Sequence, residues 1–433
     1  MILLNGQETQ NAIYDIVWDV EGPLIHPGFD FAKEILRHNI AAITDKLGKI
    51  EINRKQFTYF EATFEIYDPY DDERWFYDRI HNVEFKHSTG TTPIISLIIC
   101  ALMDWDDETL LNFATNNFLE TPGSGNIHKI MKEIKAREFL VSNSYPAQCL
   151  TAAAKQNIPF SNAYCMGYQL NKEKMNIKIE LNMEVKKRSP LELWRKYKDE
   201  LKEFLISYLQ IAWELLEVYK RVNDNKYGYN EKIGFLLAEQ KALFEQIEIL
   251  ALRESLRYFL DIKADILEEG VMGGHRKKQT LQKIKEITKK DLLFISDSIV
   301  DVDAIEYIKE RGLNVTINNT QEDCLKATHI NIATLNWKCA EHILKELLNG
   351  NLKKDEINQQ IIERYVKDEY KPYIKIFSME YIKYNMNEVI LANKTVKDFL
   401  KGENGYELWK IDRNRYHEMW SNPFSQKQFK IFY

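Results

Sequence analysis

Phe294-Ile295-Ser296-Asp297-Ser298-Ile299-Val300-Asp301 is an apolar run that ends in two aspartates four residues apart. Such a run reads as a short buried strand that delivers the first carboxylate to a sheet edge, with the second held close by in the next turn. Crowded carboxylates repel one another unless a cation lies between them, and hard oxygen ligands suit Mg²⁺. Acidic residues also favour the start of a helix, so the pair alone reads equally well as a helix N-terminus. The balance tips because the chain repeats this form near its start. There, Tyr14-Asp15-Ile16-Val17-Trp18-Asp19-Val20 is a compact apolar strand, and Glu21-Gly22-Pro23 is a turn that cannot continue it.

Between these two stretches lie further strand and helix signals. The sequence predicts a helix over 127–135, a strand over 138–141 ending in Ser142-Asn143-Ser144, and a helix over 146–156. Ile177, Ile179 and Leu181 alternate as in a strand. A helix is expected from Gly273-Gly274 to Thr288, followed by a strand at 292–296, a helix at 304–311 and a strand at 314–317. Strand–helix alternation at both ends predicts an α/β fold, a Rossmann-like doubly wound parallel sheet carrying a helical cap and helical insertions.

The rest of the chain is read as additions to that frame. Residues 29–119 are mostly helical in pattern and include an acidic loop at 68–73, with Arg74 and Arg79 nearby. Ser189-Pro190-Leu191-Glu192 is a helix start, with a capping Ser, Pro at the first position and Glu at the third. It opens a long helical hairpin within 183–269. From Trp337 onward the chain reads as helical, charged and rich in Tyr and Trp. The expected organisation is a discontinuous core (12–28, 120–182 and 270–336), a cap (29–119), a hairpin insert (183–269) and a C-terminal extension (337–433).

The composition excludes several functional classes. The chain has 433 residues and a net charge of −6 with both signs interspersed, which gives no nucleic-acid footprint. Five scattered cysteines without a CxxC pair read as reduced thiols in a cytoplasmic protein rather than as a disulfide framework. The first residues lack the charged and apolar regions of a signal peptide, and the apolar run at 93–103 is too short to span a bilayer.

Four motifs fall at the carboxyl ends of expected strands or at a helix start, where open α/β sheets place their sites. They are Asp19 with Glu21, Ser142, the helix-opening Gly274-His275-Arg276-Lys277, and Asp297 with Asp301. Each alone is also explained by ordinary capping or by a solvated lysine. Their order resembles the haloacid dehalogenase superfamily, whose phosphatases include phosphoserine phosphatase. Pro122-Gly123 before a helix and strand-Ser is similar to the lead-in to that family's second motif. Lys277 with Leu281 and Ile284 resembles its third motif, and residues 295–303 its fourth. Asp19-Val20-Glu21-Gly22-Pro23 and the Tyr70-Asp71-Asp72 loop resemble an archaeal branch, some members of which are described as subunit R of an energy-converting hydrogenase.

The resemblance implies a Mg²⁺-dependent phosphatase acting on a small phosphorylated metabolite. In that reading Asp19 is the nucleophile and forms an aspartyl-phosphate. Lys277, with Lys278 as runner-up, holds the phosphate, and Ser142 binds its equatorial oxygens. Asp19, the backbone carbonyl of Glu21, Asp297 and Asp301 hold the metal. Glu21 departs from the family pattern, where Asp usually serves as acid and base. The extra methylene sets the carboxyl about an ångström further out, and a misplacement of that size costs on the order of 100-fold in rate. The alternative is a non-catalytic binding or assembly module that docks a larger, hydrogenase-associated complex through its helical inserts or tail. Tyr145 and His275 flank the second and third motifs and read as packing or substrate contacts.

Overall fold

The computed structural model describes residues 12–25, 31, 34, 35, 38, 39, 100, 103–165, 272, 274–334, 336–371 and 374–401. The expected strand at 177–181, the helical hairpin within 183–269 and the acidic loop at 68–73 lie outside them. In chain order the principal elements begin with β1 (Tyr14–Trp18), α1 (Asp107–Asn116), α2 (Ser124–Glu133), β2 (Glu138–Val141), α3 (Pro146–Gln156) and β3 (Ala163–Tyr164). They continue with α4 (Gly274–Thr288), β4 (Asp291–Ser296), α5 (Val302–Arg311), β5 (Leu313–Ile317), α6 (Glu322–Ala327) and β6 (Ile330–Thr334). The last are α7 (Glu341–Leu348), α8 (Gln359–Arg364), β7 (Ile374–Ser378) and α9 (Met379–Lys401).

The strands form one seven-stranded sheet in the order β3-β2-β1-β4-β5-β6-β7. Neighbours are parallel except β6 and β7, which are antiparallel. This is the expected Rossmann-like α/β arrangement. All five residues of β1 are buried, as a strand covered on both faces requires. The alternation of side chains sorts them: Ile16 and Trp18 join one apolar cluster with Leu293 and Ile295 of β4, and Val17 joins the opposite one with Leu292 and Phe294. The sheet therefore has a core on each side.

Strand order reverses between β1 and β4, since β2 and β3 extend one way and β5 and β6 the other. That reversal opens a crevice at the carboxyl ends of the two central strands. The register pairs Trp18 with both Leu140 and Ile295, so the residues that follow these strands stand on one rim.

The C-terminal extension, expected to be helical throughout, contributes β7 to the sheet. In Ile374-Lys375-Ile376-Phe377-Ser378 the two isoleucines join one apolar cluster and Phe377 the opposite one, while Lys375 is exposed, a short strand embedded among Lys and Tyr residues that favoured a helical reading. The outer edge of β7 is closed by a side chain. Gln359 of α8 donates Nε2–H to Ile376 O at 2.7 Å and accepts the Ser378 N–H on Oε1 at 2.9 Å, as another strand would. Among the described residues no helix is long and apolar enough to cross a membrane. All five cysteines are buried and free.

Candidate active site

Asp19 is the first residue beyond β1, and its N–H donates to Ile295 O at 2.8 Å, one step past the strand. Its side chain folds back so that Oδ1 accepts the Val20 N–H at 2.8 Å. The chain then turns sharply, with the N–H groups of Leu24 and Ile25 both donating to Val20 O. Gly22 sits in this turn at φ +81°, and a Cβ there would lie 2.2 Å from Asp297 Oδ2. Only glycine permits both that backbone conformation and the approach of the Asp297 carboxylate.

Lys277 is the fourth residue of α4 and is wholly buried, an unusual place for an ammonium group unless it is paired. Nζ donates to Asp19 Oδ2 at 2.8 Å and to Asp301 Oδ1. Asp301 is equally buried, and its Oδ2 accepts the Ser298 N–H and hydroxyl, each at 3.3 Å. Asp297 is half-buried at the end of β4. Asp19, Asp297 and Asp301 each bring a carboxylate oxygen within 4.8 Å of the other two. Lys278, the next residue, is only half-buried, so Lys277 is the lysine that reaches the acids.

The electrostatics follow from this crowding. Burial, and then the neighbouring Asp301 charge, push the Asp19 carboxyl well above the usual carboxylate range, with Asp297 adding to the push and Lys277 opposing it. Burial works against the Lys277 ammonium, but Asp19 and Asp301 together outweigh it and raise the lysine above its ordinary value. One ammonium faces three carboxylates. The donor set holds carboxylate oxygens and neither His nor Cys, so the residues fit a hard divalent cation.

Ser142 stands on the same rim, directly after β2, and is buried. Its N–H donates to Tyr164 O at 3.0 Å, and its hydroxyl accepts the Ser144 N–H at 3.2 Å, a local turn that leads into α3. Glu21 is partly exposed in the turn after Asp19. Cys149, in the first turn of α3, has its thiol pushed up by burial, then by Cys165, Asp19 and Glu21. Tyr145 packs against Phe31 with ring centroids 5.5 Å apart, a packing role, and the His275 side chain lies outside the described residues.

The structure therefore brings together Asp19, Lys277, Asp297 and Asp301 directly, and puts Glu21 and Ser142 on the same rim. Sequence reasoning passed over Thr121 and Trp337, which both donate hydrogen bonds to the turn after β1. Thr121 had a signal of its own, since it precedes the Pro122-Gly123 break.

No family model matches the chain, and no curated protein does. Among solved structures, the chain is similar to gene product AF1437 from Archaeoglobus fulgidus at 15% identity, with a TM-score of 0.58 over 90% of this chain and 98% of that one. A likeness at that identity concerns the fold.

Proposed function

We propose that the protein is a Mg²⁺-dependent phosphomonoester hydrolase of the haloacid dehalogenase type, acting on a small phosphorylated metabolite through an aspartyl-phosphate on Asp19. The observation that carries this reading is the Lys277 ammonium, buried between Asp19 and Asp301 at the strand-order reversal. A purely structural ion pair has no need of two further acids at a sheet's carboxyl edge, whereas phosphoryl transfer calls for concentrated charge neutralisation there.

Mg²⁺, held by Asp19, the Glu21 carbonyl, Asp297 and Asp301, would neutralise phosphate charge and keep Asp19 ionised. The Asp19 carboxylate attacks phosphorus as the bond to the leaving oxygen breaks, and Glu21 donates a proton to that oxygen. Glu21 then takes a proton from the water that cleaves the acyl phosphate. Lys277 holds Asp19 in place and attracts the incoming dianion, while Ser142 and nearby N–H groups bind equatorial oxygens. Buried free cysteines are in keeping with a reducing, cytoplasmic compartment.

The test is hydrolysis of an aryl phosphate with and without Mg²⁺, and again with Asp19→Asn. Loss of turnover in Asp19→Asn is expected. Turnover that persists unchanged would sink the mechanism.

Glu21 favours a second reading, a non-catalytic phosphate-binding or assembly module, possessing the site but not the shorter acid. Glu21→Asp separates the two. A gain in turnover marks a working catalyst tuned by the longer side chain, and silence together with a retained protein complex in pull-downs supports the module. The archaeal hydrogenase-associated branch belongs to that second reading.

A further inference from the structure

The turn between Asp19 and Ile25 presents three successive carbonyls, and each is held from outside the turn. The Thr121 hydroxyl donates to Gly22 O at 2.9 Å, the Trp337 indole Nε1–H donates to Pro23 O at 2.6 Å, and the Thr121 N–H donates to Leu24 O at 2.9 Å. Trp337 follows β6, at the start of the short helical turn Trp337–Ala340, and is fully buried. Its own N–H donates to Pro122 O at 2.8 Å, so a single residue grips both the turn after β1 and the segment that leads into α2.

Two further details fix that grip. The Trp337 ring meets Trp18 edge-on, with centroids 5.8 Å apart and planes at 88°, and Trp18 immediately precedes Asp19. Gly123 lies at φ +82°, and a Cβ on it would fall 2.3 Å from Asn336 Oδ1 and 2.5 Å from Lys338 N, the residues on either side of Trp337. The close approach of these two segments therefore depends on that glycine. A turn with three successive carbonyls paired from outside cannot rock without leaving acceptors unsatisfied.

Glu21 directly precedes the three gripped carbonyls. We propose that Trp337, assisted by Thr121, is the positioning residue for Glu21, holding the turn so that the glutamate carboxyl meets the leaving oxygen of the substrate. Trp337 touches neither substrate nor reacting atoms, and it acts through the turn. This inference rests on the phosphohydrolase reading of the site.

A leaving-group comparison tests it. Trp337→Phe keeps an aromatic ring and removes the N–H, and Thr121→Val removes the hydroxyl with little change of shape. Expulsion of an alkoxide from glycerol phosphate needs a proton, whereas the nitrophenolate of p-nitrophenyl phosphate leaves without one. Each variant is expected to lose about tenfold or more in kcat/KM on glycerol phosphate and less than about twofold on p-nitrophenyl phosphate, since kcat/KM ends with departure of the leaving group and leaves out the later water step that both esters share. Glu21→Gln should show the same pattern more strongly, and adding Trp337→Phe to it should cost nothing further.

Equal losses on both esters, or a full additional loss in the Glu21→Gln background, would overturn the role of Trp337 while leaving the hydrolase reading intact. If wild-type protein cleaves neither ester, the hydrolase reading fails and this inference fails with it. Thermal unfolding of each variant establishes that it is folded, and Thr121→Val carries the test if Trp337→Phe does not fold.

Discussion

Lys277 and Asp301 stand 24 residues apart in the chain and meet in complete burial, the ammonium donating to Asp301 Oδ1 while it also holds Asp19 at 2.8 Å. Buried pairs of this kind offer little net stability compared with apolar packing, yet breaking one leaves an uncompensated charge. Their cost is explained by function more readily than by folding. Asp19, Asp297 and Asp301 already crowd one another, and the Lys277 ammonium is bonded to two of them.

Lys277→Met is therefore expected to destabilise the protein by about 3–5 kcal/mol, the usual penalty for stranding a buried partner. Urea denaturation of the variant beside wild type measures it. An unchanged midpoint would mean that Asp19 and Asp301 are protonated or reached by water in the folded state.

Adding Mg²⁺ should raise the unfolding temperature by several degrees, since a ligand at 100 times its dissociation constant stabilises by about 2.7 kcal/mol. Asp297→Asn should remove most of that rise, and a chelator should abolish it in wild type. Thermal scans with and without the ion are sufficient, and a rise of equal size in Asp297→Asn would move the cation elsewhere.

Gly22→Ala combines a left-handed backbone with a Cβ that would sit 2.2 Å from Asp297 Oδ2. It should destabilise by about 1–3 kcal/mol through backbone strain. Because the clash falls on the carboxylate itself, turnover should fall by about 100-fold or more. Denaturant titration and aryl phosphate hydrolysis check the two parts separately.

His329 is buried just before β6, and its Nδ1 faces both the Asn314 N–H, at 3.2 Å, and Asn314 Oδ1, at 3.0 Å. Burial, then Lys354 and Lys309, lower its pKa to about 4 from an unfolded value of about 6.5. The unfolded chain takes up a proton that the folded one refuses between these values. Stability should fall as pH drops from about 6.5 to about 4, by about 3 kcal/mol, and the contribution should flatten below that. In His329→Gln this portion of the slope should disappear, which denaturant midpoints across the pH range would reveal.

The parts of the fold that were legible in the sequence are those whose local pattern and tertiary role agree. β2 and α3 match the expected residues, because an apolar strand ending in Ser and a helix opening on Pro need no distant information. The carboxylates were legible for the same reason, since Asp19 and Asp297 each directly follow a strand and Asp301 comes one turn later. β6 was not, because its buried residues include Asn331 and Thr334, polar side chains satisfied only in the folded chain. Asn331 accepts a hydrogen bond from Asn393 of α9 at 2.7 Å and donates to Thr316 Oγ1 at 3.0 Å. Trp337 read as part of an aromatic tail because its partner, Pro23, lies 314 positions away. Local propensity does not encode a contact of that range.

Ile25 pairs with Glu120 in an antiparallel bridge, and the Thr121 N–H binds Leu24 O. The chain thus leaves the sheet after Ile25 and comes back at Glu120 through two segments that are hydrogen-bonded to each other. The chain between Ile25 and Glu120 thus begins and ends at one place, beside the turn that carries Asp19, and its buried residues Phe31, Ile35 and Leu110 join the core. Closing such a gap depends only weakly on the length of chain between the ends. The arrangement is a socket. A change of length between the buried residues Asn39 and Cys100 leaves the bonds that hold the Asp19 turn as they are, so that selectivity and reactivity are free to diverge along separate lines.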